Sequence, residues 1–174
     1  MIDCTFDGDI ATLWLARGSA RNALPTGGWR ALADRVAALA ASDARAVILA
    51  SREAGVFSAG ADIAEFADLQ RDPARRAGFR EQLSAAIEGV AVLPMPVIAA
   101  IDGGCFGAGV ALMLACDIAI AGDGARFAVP PPGSASSTRP PMSPGWSRRS
   151  GGAMPPGCSM AAMRSTPMPR SRSG

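Results

Sequence analysis

Two segments of the 174-residue chain share one design, in which an apolar run ends in a glycine-rich turn that opens a helix. In the first, residues 46–50 lead to the turn Phe-Ser-Ala-Gly-Ala-Asp at 57–62. In the second, residues 96–101 lead to the turn at 103–109. A strand that enters a helix through glycines leaves backbone N–H groups unpaired at the helix start. Two such ends aimed at one point form an anion site or an oxyanion hole.

The remaining pattern predicts the elements that must hold these turns. Apolar spacing indicates strands at 4–6, 11–15, 47–50, 97–101 and 117–121. Helices are expected at 28–41, at 64–69, from Asp72-Pro73 to Pro94, and at 107–116. Strands that alternate with helices in this way predict an α/β fold with largely parallel strand pairing.

The composition of the chain changes abruptly after residue 123. Residues 1–123 carry ten Arg against fifteen Asp and Glu, a net charge of −5, whereas residues 124–174 carry seven Arg and no acid, +7. Ten of the 14 prolines lie at or beyond Pro130, and no Leu or Ile follows Ile120. Such a tail buries too little apolar area to offset its ordering entropy. We therefore predict an ordered core over 1–130 and a disordered or irregular Pro/Ser/Arg-rich tail over 131–174.

The residue types in the chain exclude several kinds of chemistry. There is no His, so a His-based catalytic triad and a His-ligated metal site are both excluded. The four cysteines form no Cys-x-x-Cys pair and are typical of reduced thiols in a cytoplasmic protein. No apolar run reaches about 18 residues, so we expect no membrane span or membrane partner.

Four short motifs follow one another along the core. They are the loop 17–24, which ends in Asn-Ala-Leu, the run Phe-Ser-Ala-Gly-Ala-Asp-Ile at 57–63, the glycine-rich turn at 102–109, and the strand Ala-Cys-Asp-Ile-Ala-Ile-Ala at 115–121. In this order and spacing they resemble the crotonase (enoyl-CoA hydratase/isomerase) superfamily over residues 1–130. The resemblance implies a spiral core of repeated ββα units, here truncated.

The resemblance also implies a substrate and a site. The family binds acyl-CoA thioesters of the kind met in fatty acid metabolism, and two backbone N–H groups hold the thioester enolate, whose oxygen gains negative charge in the transition state. Carried over by motif, these donors belong to Ala61 and Ala108. Coenzyme A is part of the substrate, so no separate cofactor and no metal are expected. The implied substrate-binding positions are Arg21, Ala23, Ala59, Gly60, Asp62, Ile63 and Gly107.

The chain departs from the family's hydratase pattern at two places. The resemblance puts the two water-activating glutamates at Ala111 and Pro131, and neither Ala nor Pro transfers a proton. Three carboxylates remain as candidates near the expected pocket, on Glu65, Asp68 and Glu81. Two interpretations stay open beside an active enzyme: a truncated, catalytically silent family remnant, and a CoA-binding module without turnover.

The tail departs from the family altogether. Family members continue with helices that complete the pocket and build trimers or hexamers, whereas this chain continues from Pro131 with Pro-Pro-Gly-Ser-Ala-Ser-Ser-Thr-Arg. GC-rich codons chosen for residues 133–150 yield family-like sequence in the neighbouring reading frame. Our hypothesis is that the tail results from a frame shift, and we expect poor assembly into the family's oligomers.

Other interpretations of the same motifs are weaker. Ser58 as a hydrolase nucleophile lacks the Gly-x-Ser-x-Gly frame and a His base. The turn at 103–109 lacks the Gly-x-Gly-x-x-Gly order of a dinucleotide site. The Arg-rich tail has little aromatic interleaving, so we expect no nucleic-acid partner. Asp62 is more typical of a structural cap at a helix start than of a proton carrier.

Overall fold

A computed structural model describes residues 1–129 of the chain. The strands in this range are β1 (Ile2–Asp7), β2 (Ile10–Leu15), β3 (Ala46–Ser51), β4 (Val56–Ser58), β5 (Val97–Ile101), β6 (Gly104–Phe106), β7 (Ile118–Ala121) and β8 (Arg126–Ala128). The helices are α1 (Thr26–Ala40), α2 (Phe66–Arg71), α3 (Pro73–Ala91) and α4 (Ala108–Leu114), with 3-10 turns at Gly18–Ala20 and Ile63–Glu65.

The strands form two sheets. The larger sheet has the order β1-β2-β3-β5-β7, and the smaller has the order β4-β6-β8. Only β1 and β2 pair antiparallel within residues 1–129; the other strand pairs there are parallel. From β3 onward each strand of the larger sheet is followed by one of the smaller sheet, and helices follow β4 and β6. The predicted α/β fold of repeated ββα units is therefore confirmed.

Helices α1 and α3 pack on each other and cover the core. Helix α1 turns one apolar stripe inward, with Trp29, Leu32, Val36 and Leu39 all buried. Burying an apolar side chain of this size contributes roughly 1.5–3 kcal/mol to the free energy of folding. Helix α3 begins at Pro73, where proline costs no hydrogen bond. The carboxylate of Asp72 caps it by accepting from Ala74 N at 2.9 Å and Arg75 N at 3.1 Å.

Several predicted boundaries were wrong. Strands β4, β6 and β8 were missed because each has three residues, too few to show an alternating pattern. The helix expected at 64–69 is a 3-10 turn followed by α2 (Phe66–Arg71), and the helix expected at 107–116 spans Ala108–Leu114. The predicted tail over 131–174 and the core boundary at 130 lie outside the described residues.

The last strands of each sheet carry apolar side chains toward solvent. Ile118 and Ile120 on β7 are 52% and 59% exposed, and Phe127 on β8 is 50% exposed. In the described range, both strands stand at the end of their sheet's strand order. In the part of the chain that is described, no helix is long and apolar enough to cross a membrane.

The turn before β6 requires a residue without a side chain. Gly103 has φ +87°, and a Cβ there would lie 2.0 Å from the carbonyl carbon of Gly55. We expect Gly103→Ala to lower the free energy of unfolding by at least about 3 kcal/mol, since it adds backbone strain and a clash with rigid main chain. Urea denaturation measures the change.

Gly78 provides the matched control for this substitution. It lies inside α3, and a Cβ there would have no neighbour within 4 Å. Gly78→Ala should stabilise the protein by about 0.5–1 kcal/mol, because alanine favours the helix. Equal effects of the two alanines would contradict the packing described for Gly103.

Candidate functional site

The loop of the first motif runs alongside the first glycine-rich turn. Ala59 N donates to Arg21 O at 2.9 Å, Leu24 N donates to Gly60 O at 2.8 Å, and Asp62 N donates to Leu24 O at 3.0 Å. These bonds make a short parallel bridge between Leu24 and Ala61. These backbone hydrogen bonds join the two motifs, so the predicted substrate-binding residues of both motifs lie in one region.

An ion pair fastens the ends of these segments. Arg17 Nη1 lies 2.7 Å from Asp62 Oδ2 and also donates to Ala23 O at 2.5 Å. The other oxygen of Asp62 accepts from Ala64 N at 3.0 Å, so Asp62 caps the turn Ile63–Glu65. The hydrogen bond from Ala64 N and the guanidinium of Arg17 together lower the pKa of the Asp62 carboxyl.

Asn22 is the buried polar centre of the first loop. Its side chain is fully buried and its backbone is left-handed, with φ +55°, a conformation that asparagine adopts more readily than most residues. Its Nδ2 donates to Ser51 Oγ at 2.7 Å and to Phe57 O at 3.0 Å, and its Oδ1 accepts from Arg17 N at 2.7 Å. These partners offset the cost of burying an amide.

Strand β4 is irregular where it enters the first turn. Val56 pairs with Gly104 and Ser58 pairs with Cys105, so two residues of β4 oppose one step of β6. Such a bulge re-aims side chains, and here Phe57 and Ser58 are both fully buried. Ser58 Oγ donates to Asn22 O at 3.1 Å and accepts from Gly60 N at 3.0 Å. A buried, doubly bonded hydroxyl does not fit the nucleophile interpretation.

The second glycine-rich turn lies directly against the first. Gly107 joins β6 to α4; its φ of +54° redirects the chain into the helix, and its N–H donates to Ala128 O of β8 at 2.9 Å. Gly60 has φ +86°, and a Cβ on it would lie 2.6 Å from Phe106 O and 2.8 Å from Ala108 N. The main chains of the two turns are therefore in contact, and only glycine fits at position 60.

Two backbone donors remain available where the turns meet. Among residues 1–129, neither Ala61 N nor Ala108 N has a hydrogen-bond acceptor. The bridge to Leu24 uses Gly60 O and Asp62 N, so the intervening N–H of Ala61 is directed away from that loop. Ala108 is the first residue of α4, where an N–H has no partner within the helix. Both residues are half-buried, so a ligand atom could reach them.

The remaining predicted binding residues lie around this contact. Arg21 is exposed, Ala23 is buried, and Ala59 and Asp62 are half-buried. Ile63 is 77% exposed at the start of the turn that Asp62 caps.

The three carboxylates considered from the sequence are differently placed. Glu65 Oε2 accepts from Thr26 N at 2.7 Å and from Thr26 Oγ1 at 2.8 Å, so it caps the first turn of α1. Glu65 also lines a cleft of about 320 Å³ together with Asp68 and Arg75. Asp68 is exposed and pairs with Arg75 at 3.8 Å, and Glu81 is exposed on α3. Within residues 1–129, none of these three carboxylates forms a hydrogen bond with the glycine turns.

The cysteines near the turns are poor nucleophiles. Burial raises the pKa of Cys105, on β6, to about 11. Burial, with smaller contributions from Asp117 and Cys105, raises the pKa of Cys116 to about 12. Both thiols stay protonated at neutral pH, and the thiolate is the reactive form.

The sequence assigned no structural role to three residues that organise this site. Arg17, Asn22 and Ser58 lie inside the quoted motifs, but their partners are distant in sequence: Arg17 meets Asp62 45 residues on. Opposite charge in two separate motifs was the available signal for that pair. No single-sequence signal shows which way the side chain of Ser58 points, because the bulge sets it.

The structure is thus an α/β protein of repeated ββα units in which two glycine-rich turns meet and leave backbone N–H groups without acceptors among residues 1–129. A model of the family enoyl-CoA hydratase/isomerase matches residues 5–134. The chain belongs to the enoyl-CoA hydratase/isomerase family.

Several known proteins are similar to this chain. Mouse mitochondrial methylglutaconyl-CoA hydratase is 36% identical over 119 residues, which cover 68% of this chain and 37% of the mouse protein. The 2,3-dehydroadipyl-CoA hydratase of Escherichia coli is 36% identical over 121 residues, 70% of this chain and 46% of its own length. A Mycobacterium tuberculosis protein named as an indene-carboxyl-CoA hydrolase is 40% identical over 116 residues, 63% and 44% of the two chains.

A solved structure shares the fold. The crystal structure of an enoyl-CoA hydratase/carnithine racemase from Magnetospirillum magneticum matches with a TM-score of 0.71 and 35% identity, covering 74% of this chain and 49% of that one. This chain thus spans less than half the length of the relatives described.

The lowered pKa of Asp62 makes stability depend on pH. Because the folded state favours the carboxylate, Asp62 contributes its full stabilisation above its ordinary pKa of 3.8 and loses it as pH falls through that value toward the lowered one. We expect the free energy of unfolding to fall less in Asp62→Asn than in the parent chain between about pH 6 and about pH 3. Urea denaturation across this range measures both slopes, and identical slopes would contradict the lowered pKa that Ala64 N and Arg17 give Asp62.

Proposed function

We propose that the chain binds an acyl-CoA thioester and stabilises its enolate through the backbone N–H groups of Ala61 and Ala108. The observation that carries this proposal is the contact between Gly60 and the start of α4, which brings two acceptor-free N–H groups to one place. A thioester oxygen gains negative charge as the α-carbon loses a proton, and two fixed donors stabilise that charge by several kcal/mol. Backbone donors do this with alanine at both positions.

The first loop supplies the proposed binding surface for the coenzyme A portion. Arg21 is exposed and has no ion-pair partner among residues 1–129. Its guanidinium is free to bind two phosphate oxygens, while its carbonyl is tied to Ala59 N. Exposed Ile63 offers an apolar wall beside the same loop. Asp62 is engaged by Arg17, so we assign it to shaping the turn.

The relatives support thioester activation more strongly than any one later step. By their names, two are hydratases and one is a hydrolase, and all three act on CoA thioesters. Polarisation of the thioester carbonyl is common to such reactions, whereas the group that handles water differs. We therefore place the proposal at thioester binding and enolate stabilisation, within acyl-CoA metabolism.

A second candidate is an acyl-CoA-binding module without turnover, and a specific position favours it. Ala111 lies on α4 one turn after Ala108, on the same face of the helix. A carboxylate there would lie near the donors, but alanine offers no proton carrier. Glu65, the half-buried carboxylate among the three candidates, is occupied at the start of α1. Position 131 lies outside the described residues.

The proposal extends to a cytoplasmic location and to poor assembly into the family's oligomers. The thiols of Cys4, Cys105 and Cys116 are free, which suits a reducing compartment such as the cytoplasm. Poor assembly into trimers or hexamers is still expected from the sequence of the tail.

Deleting one donor tests the proposed oxyanion hole. Ala108 is the first residue of α4 and follows the non-helical Gly107, so proline fits there and removes the N–H. We expect Ala108→Pro to weaken binding of acetoacetyl-CoA, as its enolate, by roughly 10–100-fold, the effect of one hydrogen bond to a charged acceptor. Isothermal titration calorimetry measures the affinities.

The ligand control for this test is S-butyl-CoA, a thioether without the carbonyl oxygen. Its affinity should be the same in the parent chain and in Ala108→Pro, with circular dichroism to verify the fold. If the parent chain binds the thioester no better than the thioether, the proposed function is wrong.

The two candidates differ in turnover. We expect the parent chain to hydrate crotonyl-CoA slowly or not at all, because no carboxylate stands at position 111. Ala111→Glu should raise the rate by up to about 100-fold, whereas Ala111→Gln, of the same size, should not. Loss of the enoyl absorbance measures the rate. Hydration by the parent chain at a rate typical of an enzyme, ~10 s⁻¹, would contradict the role assigned to this position.

A further inference from the structure

One buried side chain touches both glycine turns. Ser58 Oγ accepts the N–H of Gly60, the residue immediately before the proposed donor Ala61. On its other side, Ser58 packs against the first turn of α4: a Cβ on Gly109 would lie 2.8 Å from Ser58 Cβ and 3.0 Å from Ser58 Oγ. Ser58 is fully buried, so water does not compete for these contacts.

The Ser58 hydroxyl accepts the hydrogen bond of one particular amide, that of Gly60. The neighbouring polar groups of the turn, Ala59 N, Gly60 O and Asp62 N, are tied to the first loop by backbone bonds. Gly60 N has Ser58 Oγ as its acceptor among the described residues. Ser58 Oγ in turn donates to Asn22 O, and Asn22 is buried and bonded on every side. The hydroxyl therefore fixes the peptide that joins Ala59 to Gly60, while the next peptide, which carries the Ala61 N–H, is held through Gly60 O by Leu24 N.

We propose that Ser58 is a positioning residue that sets the separation of the two glycine turns, and with it the separation of the Ala61 and Ala108 N–H groups. The inference rests on the proposed oxyanion hole. Electrostatic stabilisation of this kind requires donors held in advance to within about 0.5 Å of the productive geometry. Ser58 meets that requirement because it bonds to the first turn and packs against the second.

A polarised chromophore reports donor geometry without requiring turnover. Cinnamoyl-CoA absorbs at longer wavelength when its thioester oxygen accepts hydrogen bonds, and its carbonyl-free thioether analogue serves as the reference ligand. We expect Ser58→Ala to reduce the red shift of bound cinnamoyl-CoA. It should also lower the thioester-to-thioether affinity ratio by about fivefold, with the thioether affinity unchanged. Ser58→Cys, with a weaker donor and acceptor, should give intermediate values.

Ser51→Ala is the control for loss of a hydrogen-bonded serine hydroxyl close to Asn22, at a half-buried position. Ser51 Oγ accepts from Asn22 Nδ2 and Glu53 N and donates to Glu53 O. The substitution Ser51→Ala therefore removes more hydrogen bonds than Ser58→Ala, but none of them to the glycine turns. Ser51→Ala should lower the free energy of unfolding yet keep the red shift and the affinity ratio.

Each result separates the two levels of the proposal. A parent chain without a red shift and without preference for the thioester overturns both the oxyanion hole and the role of Ser58. A parent chain with both signals, together with unchanged signals in Ser58→Ala, overturns the role of Ser58 alone. Equal loss in Ser58→Ala and Ser51→Ala also overturns it, because it would show a general structural effect. If Ser58→Ala does not fold, an unchanged red shift in Ser58→Cys decides against the proposal.

Discussion

The parallel pairing of β4 with β6 is the constraint on which the candidate site depends. These strands have three residues each, so their pairing contributes few hydrogen bonds, yet it places the turn after β4 against the turn after β6. The approach is too close for any side chain at Gly60, and Gly103 and Gly109 are restricted by similar contacts. Glycine at these positions is therefore a packing requirement as much as a matter of turn flexibility.

Buried polar groups around this strand pairing stabilise it, and their hydrogen bonds offset the free-energy cost of burying them. Burying Asn22 and Ser58 without partners would cost roughly 1–3 kcal/mol each. Their hydrogen bonds to each other and to the backbone recover that cost and also align the first loop with β4. The Arg17–Asp62 pair adds a charged tie at the rim, where partial exposure of Arg17 weakens it. The same bonds that make the fold specific thus also shape the site.

Much of the fold could be predicted because long apolar elements repeat with a clear period. The stripe of α1 through Trp29 and the cap of α3 at Asp72 show how local residue choice and tertiary burial agree. Strands β4, β6 and β8 could not be predicted, since three residues carry no period and their pairing comes from the sheets around them. The glycine pattern indicated unpaired N–H groups at the two turns, but their proposed assignment to Ala61 and Ala108 came from the resemblance, because a backbone N–H leaves no mark in the identity of its side chain. The contacts of Ser58 required the bulge, which is a property of two strands together.

The anchorage of the second turn on β8 links the colloidal behaviour of the protein to its site. Among residues 1–129, β8 ends the strand order of the small sheet and carries exposed Phe127, and Ala128 O holds Gly107 N beside the first residue of α4. An apolar edge strand is a template for adding further strands and hence for aggregation. Molecules that associate through this edge would pull on the hydrogen bond behind Ala108. Loss of the proposed acyl-CoA binding on concentration or storage would therefore report strand addition at β8 before any global unfolding.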